Sequence, residues 1–146
     1  MKNNTGVYAT MMTVDELIGS WTLVTWTSVK NGKPDGYPMG ENAKGQIIYS
    51  ADGRMSGFLM RADFESAPHG ASATADTSLA YGGTYHLEGD RVSHDVIVST
   101  IAHWIGHPLV RTMEKQGKDL LLKTKPETTK SGNIYEHHLL WRRVTS

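Results

Sequence analysis

The sequence predicts an all-β domain, an eight-stranded antiparallel up-and-down β-barrel, and three observations carry that reading. From Trp21 onward the pattern has period two, in short runs rich in Val, Ile, Thr and aromatic residues. The runs are punctuated by tight-turn chemistry: Asn31-Gly32, Ala51-Asp52-Gly53, Glu88-Gly89-Asp90, Gln116-Gly117-Lys118-Asp119 and Lys130-Ser131-Gly132-Asn133. Sequential antiparallel strands joined in this way form a meander, and closing the meander into a barrel removes its exposed edges.

The first element is a short helical turn. In Thr13-Val14-Asp15-Glu16 the threonine can cap and the glutamate can reach back, just ahead of Leu17 and Ile18. Strands are then expected over 21–30, 45–50, 54–61, 81–87, 91–99, 109–115, 119–125 and 134–144. The stretch 63–78, rich in Ala, Ser and Thr, interrupts the meander, so a loop or short-helix insertion is expected around 63–80. Beside a barrel mouth such a segment reads either as a lid or as a plain connector. Residues 1–12 read as a flexible start and 13–146 as one domain, long enough to bury a single core.

Composition excludes several classes of function. The chain has 15 basic and 15 acidic side chains and no Lys/Arg run, so no field concentrates nucleic acid or draws the protein to a membrane. It has no cysteine, which removes disulfides, thiolate nucleophiles and Cys-ligated metals. No leader-like apolar stretch opens it and about 18 apolar residues nowhere run together, so a cytoplasmic location is expected. Nucleophile elbows, phosphate loops and dinucleotide fingerprints are absent from the sequence, and no cofactor is expected.

Gly19-Ser20-Trp21 at the head of the first strand, with Trp141 and Arg143 on the last, resembles the Gly-x-Trp signature of lipocalins. In that family a terminal-strand arginine packs over the tryptophan and seals the closed end of the barrel. To these are added Tyr37-Pro38-Met39-Gly40-Glu41, Gly45-Gln46-Ile47-Ile48-Tyr49-Ser50-Ala51-Asp52-Gly53-Arg54-Met55-Ser56, Gly83-Thr84-Tyr85, Trp104-Ile105-Gly106 and Arg111. In this order the set is similar to the lipocalin-like domain family of small intracellular bacterial and fungal proteins, over about 17–144. The resemblance implies a lipocalin-like barrel around a small molecule. Related barrels serve both as binding proteins and as cofactor-free enzymes of secondary metabolism. This chain departs from the family in a shortened segment between Arg61 and Tyr81.

Strand alternation then assigns an inner face. With Trp21 inside, Leu23 and Thr25 point in, whereas Thr22, Val24 and Trp26 face out. Tyr49, Met55, Leu59, Tyr85, Val96, Met113, Leu120, Leu122 and Leu139 form an apolar interior, and parity adds Arg61, His94, Arg111, Tyr135, His137 and Arg143. Apolar walls with a few converging polar groups suit a small hydrophobic or aromatic metabolite. His94 reads as a core histidine bonded to a tyrosine or as a catalyst. Arg111 must meet a carboxylate, Glu136 or Asp95 if the register slips by one, or else a ligand oxygen. The tyrosines read as walls or as ligand contacts, and Arg143 as structural.

Of seven histidines, His103 and His107 are four apart, but Gly106 and Pro108 disfavour a helix there, and His137 and His138 face opposite ways, so no metal site is expected.

Three functions follow. In the first, a cofactor-independent isomerase, cyclase or lyase uses His94 and His137 for proton exchange while Arg111 and a tyrosine stabilise oxyanion charge. Its ligand contacts are Tyr49, Met55, Leu59, Arg61, Tyr85, Val96, Met113 and Tyr135. In the second, the same groups merely orient a carried ligand. In the third, the interior is filled and an outward Trp26 marks a protein interface. The sequence leaves the oligomeric state open.

Overall fold

The computed structural model describes residues 11–145, so the expectation of a flexible start over 1–10 lies outside the described residues. Met12 falls within the stretch assigned to that start, yet it is buried and joins the core.

Thr13 caps the helical turn α1 (Val14–Leu17) as its sequence predicts. Its hydroxyl accepts from the Glu16 amide at 3.2 Å while its own amide donates to the Glu16 carboxylate at 3.0 Å. The turn buries Leu17 completely. Ten strands follow: β1 (Gly19–Lys30), β2 (Lys33–Pro34), β3 (Lys44–Tyr49), β4 (Arg54–Met60), β5 (Ser78–Glu88), β6 (Arg91–Ser99), β7 (Pro108–Gln116), β8 (Asp119–Thr124), β9 (Glu127–Thr128) and β10 (Ile134–Arg143). β2 and β9 are two-residue appendages that sequence reasoning missed, being too short to show a period.

The other eight pair antiparallel in chain order, and β1 closes the circle on β10, from Trp21 opposite Arg143 to Lys30 opposite Tyr135. The predicted strands match these eight to within a few residues. Asn31 and Gly32 both take positive φ, 49° and 80°, as a primed two-residue turn between Lys30 and Lys33 requires. The insertion carries one 3-10 turn, Phe64–Ser66.

Two irregularities decide which side chains face inward. In β1 the pairing shifts between Leu23 and Thr25, so Val24 is an extra residue and alternation restarts one position later. Trp26 therefore faces the interior, 9% exposed, and Thr25 does not, which corrects the outward placement of Trp26 drawn from strict alternation. An interface role for an outward Trp26 falls with it.

In β6 the shift falls opposite Gly82 and Gly83, leaving Val96 buried and Ile97 and Val98 outside. A Cβ built on Gly83 would lie 2.0 Å from the Asp95 carbonyl oxygen, so only glycine permits this approach of β5 to β6. Gly83→Ala is expected to destabilise the protein by about 1–3 kcal/mol, read as a lower melting temperature, because a backbone neighbour must move. An unchanged melt would show that the strands can part there freely.

Candidate functional site

The barrel has a filled lower half and a hollow upper half. At the closed end the Trp21 indole donates to the Leu17 carbonyl at 3.0 Å, and the Arg143 guanidinium lies 4.3 Å from the Trp21 ring centroid. Arg143 also donates to the carbonyls of Ile18, at 2.7 Å, and Glu16, tying α1 to the end of β10. Above this floor Tyr49, Met55, Tyr85 and Met113 interlock with Leu120 in one core cluster. The Tyr85 hydroxyl donates to the Ser50 carbonyl at 2.8 Å, and its ring meets Tyr49 edge-on at 5.0 Å.

Toward the open end lies a cavity of about 710 Å³. Trp26, Leu59, Leu79, Leu109, Leu122, Leu139 and Trp141 give it apolar walls, and Ile101, Trp104 and Pro126 bring in the 100–107 and 125–133 loops at its mouth. The three residues expected to carry chemistry, His94, Arg111 and His137, all line it.

Of the eight expected ligand contacts, only Leu59 does. Tyr49, Met55, Tyr85, Val96 and Met113 point inward as parity requires but lie in the packed part of the barrel, because alternation fixes a side chain's face and not its depth. Arg61 is likewise not a wall residue: β4 ends at Met60, and Arg61 instead bonds Asp63 at 3.1 Å and the Pro38 carbonyl at 3.4 Å on the rim. Tyr135 stands opposite Glu127 at the mouth end of β10 but is not part of the cavity lining; it sits against Lys30, whose ammonium lies 5.8 Å from its ring centroid.

Arg111 is the unusual member. Its guanidinium donates to the Val110 carbonyl at 3.2 Å and to the Tyr81 hydroxyl oxygen, and among the described residues no carboxylate lies within ion-pair distance of it. Both carboxylates named for it face outward: Glu136 pairs with His138, and Asp95 takes hydrogen bonds from His86 at 3.0 Å and Ser93 at 2.9 Å. The expected register therefore holds, and the cation faces the cavity.

Each histidine is held in place. His94, 1% exposed, bonds Tyr49 through Nε2 at 2.6 Å and Tyr81 through Nδ1 at 2.8 Å. Tyr81 lines the cavity and packs edge-on against Trp104 at 5.6 Å. Sequence reasoning missed Tyr81, although it stands four residues before the inward Tyr85 and so shares its face. His137 accepts a hydrogen bond from the Trp26 indole at 3.0 Å through Nδ1, so in the neutral ring the proton is on Nε2. Among the described residues no three His, Asp or Glu side chains gather as a metal site.

Burial, aided by the Arg111 charge, pushes His94 from the usual histidine value of 6.5 down to about 3. His137 moves the same way, through burial first and Arg111 second. Burial raises Tyr49 well above the ordinary tyrosine value and Tyr81 more modestly, Arg111 opposing the rise in both. At neutral pH the cavity wall therefore presents neutral imidazoles and a neutral phenol beside Arg111, with Lys125 and Glu127 also on its lining.

The unfolded chain takes up the His94 proton near pH 6.5 and the folded chain only near about pH 3. Stability from this residue is thus complete above pH 6.5 and falls as the pH drops through that window. Denaturant titrations across pH are expected to show this decline in the parent and a shallower one in His94→Gln. Identical slopes would show that His94 is protonated in the folded protein.

The lipocalin-like domain family matches residues 18–144, nearly the whole chain and the whole barrel. No protein in a search of curated proteins matches it. The closed meander, the Gly19-Ser20-Trp21 floor under Arg143 and this match agree: the chain belongs to the lipocalin-like domain family.

Proposed function

We propose that the barrel binds a small, largely apolar metabolite that carries one acidic oxygen, with that oxygen on Arg111. The observation that carries the reading is a guanidinium facing an apolar cavity with no carboxylate partner among the described residues. Arg111 is half-buried, and a cation partly withdrawn from water with no carboxylate in contact is stabilised when an anionic ligand group reaches it. The cavity volume of about 710 Å³ lies in the range of pockets that enclose drug-sized molecules.

Naphthoate and its methyl ester, titrated calorimetrically at neutral pH, test this directly. They share a ring system and differ in charge. The acid is expected to bind more tightly by about tenfold or more, the usual scale of a charge-assisted hydrogen bond in a dry site. Equal affinities would contradict the reading.

Cofactor-free acid–base catalysis of isomerase, cyclase or lyase type is the second reading. What favours it is the presence of His137 and Tyr81 on the same cavity as Arg111, within reach of one ligand. In that reading His137 exchanges the proton, since both His94 nitrogens are already bonded to tyrosines. A carrier uses the same arrangement without turnover.

A further inference from the structure

The cluster at the cavity wall has a direction. Tyr49 is 1% exposed, and its hydroxyl proton needs an acceptor. Among the described residues its hydroxyl bonds only the His94 ring, so Tyr49 donates to Nε2. A neutral imidazole that accepts at Nε2 carries its proton on Nδ1. The Nδ1–H therefore donates to the Tyr81 oxygen, 2.8 Å away. The Tyr81 oxygen is then an acceptor, from His94 and also from the Arg111 guanidinium, and its own proton is left for the cavity that Tyr81 lines. The ring cannot reverse by rotating, because His94 is packed between both tyrosines, with ring centroids 5.5 and 5.6 Å away.

We propose that Tyr49, His94 and Tyr81 form a one-way hydrogen-bond relay that presents the Tyr81 O–H to the ligand beside Arg111. The two donors form a seat for a single phenol or enol oxygen, bound as its anion. This rests on the reading that Arg111 receives an acidic oxygen, and it names the class of that oxygen. A carboxylate can occupy an arginine fork through both its oxygens. A lone oxygen cannot, and a neighbouring O–H supplies the second hydrogen bond it lacks. Aromatic walls at Trp26 and Trp104 suit a ring attached to that oxygen. Tyr81 is then a ligand-contacting residue, whereas Tyr49 and His94 are positioning residues that act through it.

Two measurements test the relay. The first leaves the protein unaltered: nitrogen NMR of the imidazoles is expected to show His94 protonated at Nδ1 and bare at Nε2, and the opposite tautomer would overturn the proposal. The second uses para-nitrophenol, whose phenolate absorbs visible light. Bound to the parent protein, its apparent pKa is expected to fall by about one unit or more, the tenfold preference of a charged hydrogen bond. Tyr81→Phe should abolish most of that shift, and Tyr49→Phe should reduce it although Tyr49 does not line the cavity. A full shift in a folded Tyr49→Phe protein would overturn the relay while leaving the Arg111 reading intact. Absence of any preference for the phenolate in the parent protein, with naphthoate still preferred over its ester, would likewise overturn the relay alone. Indifference to charge with both probes would overturn the Arg111 reading too.

Discussion

Trp21→Ala is expected to destabilise the protein by about 3–5 kcal/mol, a large share of what holds a domain of this size. Trp21 is 2% exposed, stands at the centre of the floor and donates to the Leu17 carbonyl. Removing the indole leaves that carbonyl without its donor, strips the Arg143 guanidinium of the ring it covers and opens a void beneath Leu120 and Met113. A melting temperature lower by on the order of 10 °C follows for a chain of this length. Trp21 does not line the cavity, so the folded fraction of the variant should bind naphthoate as the parent does. Unaltered melting would contradict the assignment of the floor; lost affinity in a folded variant would contradict the separation of floor and cavity.

Arg111→Met should act in the opposite sense. Losing one member of a buried charge pair typically costs about 2–5 kcal/mol in binding, so naphthoate affinity should fall by roughly 30-fold or more. Without ligand, the same change removes a half-buried cation that has no carboxylate in contact, at the loss of its hydrogen bonds to Val110 and Tyr81, and puts an apolar chain of similar reach in its place. The empty protein should therefore melt at the same temperature or higher. Binding and stability that fell together would instead indicate that Arg111 has an internal role in the fold. The ester should bind to parent and variant about equally, since it makes no use of the charge.

The strands of the barrel were legible in the sequence because turns and alternation are local properties. Asn31-Gly32 announces its turn, Thr13 and Glu16 their cap, and Gly19-Ser20-Trp21 the floor. Trp26 was not legible, because the extra residue Val24 in β1 leaves no mark in the period of so short a run, yet it turns every later side chain over. The polar groups of the site were found by parity, and His94, Arg111 and His137 do share one cavity.

Its walls were mostly not found. Tyr49, Met55, Tyr85 and Met113 have the right face, but how far down the barrel the packing is solid depends on volumes contributed by many strands together. Trp104 and Pro126 come from loops, where periodicity says nothing. That no carboxylate among the described residues lies in contact with Arg111 is a statement about three-dimensional neighbours, and the sequence left it as a choice between a carboxylate and a ligand.

The central claim, that an acidic oxygen in the cavity completes Arg111, is tested most directly by a crystal structure of the protein with bound naphthoate. The ring is expected between Trp26 and Trp104 inside the barrel, with a carboxylate oxygen within hydrogen-bond distance, about 2.7–2.9 Å, of the Arg111 guanidinium. Naphthoate seated in the outer groove along Phe58 and Val98, or lying in the cavity with its carboxylate turned to solvent and Arg111 untouched, would contradict it.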